Sequence, residues 1–138
     1  MRPDRAIPGI VILLLALILG GCAGLATTGQ KHTAEQDFSV AAAIDLPAAV
    51  ELAARVFEQQ MVIVTGSSPP SGYIAGITYR GRSINRISFT LMVDIRQPGP
   101  GMLRVRATST AGPEVAFTTD LDDIAEDFVR AYGEALAR

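Results

Sequence analysis

Apolar and polar residues alternate along two neighbouring stretches of the chain. In residues 86–96 every second position is apolar and most of the others are polar or charged, and the same alternation returns in residues 103–108. This period of two is typical of half-buried β-strands. Between the two stretches, residues 97–101 contain two prolines and two glycines, which predict a turn. Each strand is therefore expected to have one apolar face that must be covered and one mostly polar face.

Two other stretches have apolar residues at helical spacing. They recur every three or four positions over residues 46–61 and again over residues 121–136. Asp45 can cap the first helix, with Pro47 in its first turn, so a helix is predicted over residues 47–60. The start of the second helix is rich in acidic residues, which suits the positive end of the helix dipole. These residues are Asp122, Asp123, Glu126 and Asp127.

Shorter apolar runs complete the predicted secondary structure. Residues 38–44, 61–65 and 73–79 are predicted as strands, which gives the order β-α-β-β-β-β-α. This order predicts an α+β fold: a two-layer sandwich of a mainly antiparallel sheet of about five strands, with both helices on one face. Residues 22–37 show neither period and are predicted as a flexible tether. The single domain is then expected over residues 38–138.

The beginning of the chain has the layout of a secretory signal. Two arginines lie within the first five residues, and residues 6–19 carry no charge. This run ends in Leu19-Gly20-Gly21-Cys22, which contains the only cysteine of the chain. The tetrapeptide resembles the lipobox of bacterial lipoproteins. The resemblance implies that Cys22 is the lipid-bearing first residue of the mature protein and that residues 1–21 are removed as a signal peptide.

The same resemblance implies a location. Ala23 follows Cys22, where Asp would resemble an inner-membrane retention signal, so an outer-membrane lipoprotein facing the periplasm is expected. The alternative is an uncleaved signal anchor, because residues 6–26 carry no charge and are about long enough to span a bilayer. Both interpretations place the folded domain in the cell envelope, outside the cytoplasm.

Composition excludes several classes of function. A chain of 138 residues allows one domain of ordinary size. Its net charge of −2 argues against a general nucleic-acid binder. One Cys and one His argue against a disulfide framework and against a dedicated zinc site, so neither a metal nor a cofactor is expected.

No catalytic motif stands out. His32, the only histidine, lies in the predicted tether and is interpreted as a solvated linker residue. The acidic residues of the second helix are interpreted as a solvated face that complements the dipole. No Gly-rich phosphate loop or nucleophile elbow is present, so the protein is not expected to be an enzyme. A hydrolytic enzyme is the weakest alternative.

The most informative feature is an asymmetry of charge. Residues 80–106 contain six arginines and one acidic residue, whereas residues 114–138 contain seven acidic residues and two arginines. The alternation along the strands places four arginines around the open face of the sheet, as candidate partner-binding residues: Arg86, Arg96, Arg104 and Arg106. Guanidinium groups suit carboxylates and phosphates, so peptidoglycan carboxylates, lipid phosphates and acidic protein surfaces are candidate partners. Alternatively, these arginines only keep the sheet soluble.

The order of elements behind the lipobox resembles small periplasmic lipoprotein domains of unknown function. Over residues 38–138 it is also similar, more loosely, to the helix-grip domains of an accessory lipoprotein of the outer-membrane β-barrel assembly machinery. These resemblances imply a non-catalytic binding or accessory module, anchored to the membrane by its lipid. A structural protein that contacts lipid or glycan through the arginine-rich face remains the alternative.

Overall fold

The computed structural model describes residues 30–40, 44–81, 86–112 and 120–138. Within them, five strands and two helices follow one another in the predicted order β-α-β-β-β-β-α. They are β1 (Lys31–Ser39), α1 (Leu46–Gln59), β2 (Ile63–Ser68), β3 (Tyr73–Arg80), β4 (Ile87–Gly99), β5 (Met102–Ala111) and α2 (Asp120–Leu136). A short 3₁₀ turn, Pro69–Ser71, links β2 to β3.

The five strands form one antiparallel sheet in the order β1-β5-β4-β3-β2. Both helices pack on the same face, so the predicted two-layer sandwich is confirmed. The apolar positions of the two alternating stretches point into the layer between sheet and helices, and all of them except the partly buried Ile87 are fully buried. The fully buried positions are Phe89, Leu91, Val93 and Ile95 on β4 and Leu103, Val105 and Ala107 on β5.

Helix α1 has a defined structure at both ends. Its first turn is capped by the carboxylate of Asp45, which accepts a hydrogen bond from the backbone N–H of Ala48 at 2.8 Å. At its end, the N–H of Val62 donates to the carbonyl of Phe57 at 2.8 Å, and the N–H of Met61 donates to the carbonyl of Glu58 at 3.1 Å. This pair of bonds is the Schellman motif.

Aromatic side chains fill the space between the helices and the sheet. The rings of Phe57 and Phe128 meet edge to face, with their centroids 5.4 Å apart, and Tyr132 continues the cluster towards Phe38. The buried hydroxyl of Tyr132 donates a hydrogen bond to the carbonyl of Ala49 at 2.9 Å, which joins α2 to α1. Burial raises the pKa of Tyr132 well above its ordinary value, so the hydroxyl keeps its proton.

The prediction for the start of the domain was wrong. Residues 31–37, assigned to the tether, lie in β1, which pairs with β5 over nine positions from Lys31 opposite Thr110 to Ser39 opposite Met102. The domain therefore includes residues 31–37. The strand was missed because β1 is an edge strand whose helix-facing side carries only two apolar residues, Ala34 and Phe38, so its period of two is faint. Residues 22–29 lie outside the described residues.

Other boundaries moved by a few residues. The strand predicted over residues 61–65 begins later, at Ile63, because the Schellman motif uses the preceding residues to close α1. The strand predicted over residues 38–44 ends at Ser39. Strand β4 continues through Gly99, so the turn into β5 is tighter than expected, and Gly101 adopts the left-handed φ of 70° that this turn needs.

Neither helix in the described part of the chain is long and apolar enough to cross a membrane. The predicted signal peptide of residues 1–21, the predicted lipidation site Cys22 and the alternative membrane anchor lie outside the described residues.

Candidate functional site

Three of the four candidate arginines lie close together on the open face of the sheet. Arg96 projects from β4, and Arg104 and Arg106 project from β5; all three are exposed on the side opposite the helices. Arg86 lies apart from them, since it precedes β4 by one residue and is separated from Arg96 by about 33 Å of extended chain. Its guanidinium carbon lies 5.0 Å from the ring centroid of Tyr79, a cation–π contact.

Two of these arginines are already paired with carboxylates of β1. The guanidinium of Arg104 forks onto Asp37, with Nε 2.8 Å from Oδ1 and Nη2 3.0 Å from Oδ2. Nε of Arg106 lies 2.6 Å from Oε2 of Glu35. In both cases the two residues are direct cross-strand partners. These ion pairs help to hold the edge strand β1 against β5.

The ion pair changes the titration of both partners of the Arg104 fork. The hydrogen bond from Arg104 lowers the pKa of Asp37 from its ordinary value of 3.8, and the attraction between the charges acts in the same direction. The hydrogen bond with Asp37 raises the pKa of Arg104 in turn. Both groups therefore stay charged over the whole neutral range.

The arginines line a small open cleft together with carboxylates. The cleft has a volume of about 90 Å³ and is lined by Glu35, Asp94, Arg96, Arg104 and Arg106. The register places Asp94 opposite Arg106 and Arg96 opposite Arg104. In the described part of the chain, neither Asp94 nor Arg96 has an ion-pair partner, because both arginines of β5 bond to β1. The cleft therefore carries mixed charge, whereas the sequence had predicted a basic face.

His32 is not a solvated linker residue, so this prediction was also wrong. It lies in β1 on the side that faces α2, with Nδ1 3.1 Å from Oδ1 of Asp122 and Nε2 3.4 Å from Oε1 of Glu126. Two of the acidic residues at the start of α2 thus contact β1, in addition to complementing the dipole.

The remaining acidic residues have other environments. Asp127 bonds to Arg130 on the same helix at 2.6 Å, and Asp123 is exposed. Among the residues that the structure describes, no group of three or more His, Cys, Asp or Glu side chains is placed to hold a metal ion.

A second groove follows the free edge of the sheet, between α1 and β2. It has a volume of about 350 Å³ and is lined by Pro47, Val50, Glu51, Ala54, Val64, Ser67, Pro69 and Ile74. Two apolar side chains of β2, Ile63 and Val64, are exposed beside it. It differs from the cleft in being mostly apolar.

Comparison with known proteins gives no family for this chain. No family model matches it, and no curated protein matches it. Among solved structures, it is similar to the crystal structure of TTHA0849 from Thermus thermophilus, with a TM-score of 0.37 and 9% identity over 78% of this chain and 92% of that one. It is similar to Ara h 8.0201 with the same TM-score and identity, over 78% of this chain and 95% of that one. Likeness at this level carries no inference about function.

Proposed function

We propose that this protein is a lipid-anchored, non-catalytic binding module of the bacterial cell envelope, which holds an anionic partner on the open face of its sheet. One observation carries the proposal: Arg96 has no ion-pair partner among the described residues, although it lies directly opposite Arg104. Like charges in directly opposed positions of a sheet destabilise it. A carboxylate or phosphate placed between the two guanidinium groups would remove that repulsion.

The hydrogen-bonding capacity of the two arginines supports this role. Arg104 uses Nε and Nη2 to bind Asp37, which leaves its other N–H groups free to donate to a ligand. All the guanidinium donors of Arg96 remain available within the described part of the chain. Planar guanidinium forks match carboxylate and phosphate oxygens better than a lysine ammonium does.

The anchor is proposed from the sequence. The resemblance of Leu19-Gly20-Gly21-Cys22 to a lipobox implies acylation of Cys22, and Ala23 favours the outer membrane, with the domain facing the periplasm. One acyl chain gives only marginal membrane binding, so stable anchoring at Cys22 needs more than one chain.

The second candidate is a protein that contacts lipid head groups or glycan over a broad area. Binding to an anionic bilayer improves with each exposed basic residue near its surface. Asp37 and Glu35 neutralise Arg104 and Arg106, which weakens such attraction and favours one defined anionic group near Arg96.

The anchor is tested by metabolic labelling with a fatty acid. Cys22→Ser removes the only thiol that can form the thioether, so the variant should incorporate no label and accumulate as precursor or as unanchored protein. Equal labelling of the variant and the unchanged protein would exclude lipidation at Cys22.

Partner binding is tested by cross-linking in the envelope, followed by recovery of the protein. Arg96→Gln should reduce the recovered partner, and the loss should resemble the effect of high salt on the unchanged protein. Arg55→Gln is the matched control, since Arg55 is an exposed arginine on α1, in the other layer. If both variants recover the same partners in the same amounts as the unchanged protein, the sheet face is not the binding surface.

A further inference from the structure

We infer that the mixed-charge cleft binds a zwitterionic group, with a carboxylate at Arg96 and Arg104 and an ammonium at Asp94. The inference rests on the proposed function and narrows the ligand to one chemical class, the end of an amino acid or peptide that carries both charges.

The pairing across strands leaves two charged side chains of β4 without ion-pair partners in the described part of the chain. Asp94 lies opposite Arg106, and Arg96 lies opposite Arg104. Each of these two β4 residues therefore has an arginine as its direct cross-strand partner. The two β5 arginines nevertheless bond to Glu35 and Asp37 on β1. Strand β4 is left with one carboxylate and one guanidinium that have no ion-pair partner among the described residues.

The spacing of Asp94 and Arg96 suits a ligand that carries both charges. Asp94 and Arg96 are two residues apart and project from the same face of β4, so their Cα atoms are about 6.6 Å apart. They form no ion pair with each other within 4.0 Å. A group with its ammonium and its carboxylate on one carbon can reach both side chains at once. The volume of the cleft, about 90 Å³, suits such a group of a few heavy atoms.

The mixed charge of the cleft disfavours ligands with a single charge. A simple anion at Arg96 would lie beside the carboxylate of Asp94, which lines the same cleft, has no ion-pair partner among the described residues and repels it. A simple cation at Asp94 would be repelled in the same way by the guanidinium of Arg96. A zwitterion meets an opposite charge at each end, so it is the ligand that the cleft favours.

The experiment compares three small probes of similar size at pH 7: alanine, which carries both charges, propionate, which carries only the carboxylate, and ethylamine, which carries only the ammonium. Each is titrated at constant ionic strength into the full chain in nonionic detergent micelles. NMR signals of the β4 and β5 backbone amides and of the arginine Nε–H groups are followed. Alanine should bind at least about threefold more tightly than either single-charge probe, since exposed ion pairs contribute modestly.

Variants test the ammonium-binding and carboxylate-binding ends of the cleft separately. Asp94→Asn should weaken alanine binding about threefold or more and leave propionate binding equal or stronger, because a repulsive charge is removed. Arg96→Gln should weaken the binding of both alanine and propionate. Arg55→Gln should change the binding of neither probe. Unchanged amide dispersion in β4 and β5 shows that each variant remains folded.

Two results would overturn the inference. If propionate binds as tightly as alanine and Asp94→Asn weakens neither, the cleft is a simple anion site; the inference then fails while the proposed function stands. If no probe binds, the inference fails as well, and the cross-linking comparison of Arg96→Gln with Arg55→Gln decides the proposed function separately.

Discussion

Met61 occupies the position of the Schellman motif at the end of α1 where glycine is most often found. Its φ is 57°, the only positive φ of a non-glycine residue in the described part of the chain. In this left-handed region the Cβ of an L-residue crowds the following carbonyl oxygen, which a glycine avoids. Met61→Gly is therefore expected to stabilise the domain.

The magnitude follows from three contributions. The left-handed conformation costs a non-glycine residue about 1 to 2 kcal/mol. Glycine in turn lowers the free energy of unfolding by about 0.5 to 1 kcal/mol, because it makes the unfolded chain more flexible. The side chain of Met61 is 80% exposed, so its removal sacrifices little buried apolar area. The net gain is about 0.5 to 1 kcal/mol, which raises the Tm of a domain of this size by about 2 to 8 °C.

The assay is thermal unfolding of the full chain in nonionic detergent, followed by circular dichroism, with urea unfolding as a second measure. Met61→Ala is the matched control, because it removes the long side chain but keeps the Cβ that causes the strain. Only Met61→Gly should gain stability. If the two variants unfold at the same temperature, or if Met61→Gly is the less stable of the two, the strain at this position does not carry the cost assigned to it.

Three further predictions concern the core, the sheet and the ion pair. Phe128→Ala should lower the free energy of unfolding by about 3 to 5 kcal/mol, since the ring is fully buried between the layers. A Tm lowered by only a degree or two would contradict this prediction. Gly76→Ala should destabilise the protein, because the added Cβ would lie 2.7 Å from a backbone carbonyl of β2. Gly66→Ala should not destabilise it, because there the added Cβ meets no atom within 4 Å. If the two variants are equally stable, strands β2 and β3 can move apart at little cost. Because the pKa of Asp37 is lowered in the folded state, its bond to Arg104 stabilises the protein above the unfolded pKa and is lost as pH falls through the folded value. Asp37→Asn should therefore be less stable than the unchanged protein at neutral pH, and the difference in urea midpoint should disappear in acid; a difference that does not vary with pH would exclude this role.

The centre of the fold could be predicted from the sequence because its periods are unambiguous. On β4, Phe89, Leu91 and Val93 alternate with mostly polar residues, and the structure buries all three under the helices. Central strands and amphipathic helices face a core on one side and solvent on the other, so each leaves a regular pattern. The two-layer arrangement and the open face followed directly from these patterns.

The edges could not be predicted in the same way. Strand β1 is held by its backbone pairing with β5 and by ion pairs, and neither leaves a hydrophobic period. Its alternation of Ala34 and Phe38 with polar residues was the only signal, and it is too short to distinguish from a linker. The start of β2 was misplaced because Met61 gives no glycine signal for the end of α1.

The candidate site shows the same division. Alternation assigns a residue to a face of the sheet, so it grouped Arg86, Arg96, Arg104 and Arg106, although Arg86 lies apart from the other three. It does not determine which strands are neighbours, and Asp37 precedes Arg104 by 67 positions in the chain. The carboxylates that neutralise the arginines therefore become apparent only when β1 is seen to lie beside β5.

Strand β1 connects the proposed anchor to the proposed site. If Cys22 is acylated, only eight residues separate it from Lys31, so β1 begins within about 30 Å of the membrane, closer than a tether extending to residue 37 would allow. The same strand supplies Glu35 and Asp37, which hold two guanidinium groups towards β1 and leave Asp94 and Arg96 available. Without β1, the sheet would present the basic face that the sequence suggested. The selectivity proposed for the cleft therefore requires that β1, the strand nearest the proposed anchor, stays paired with β5.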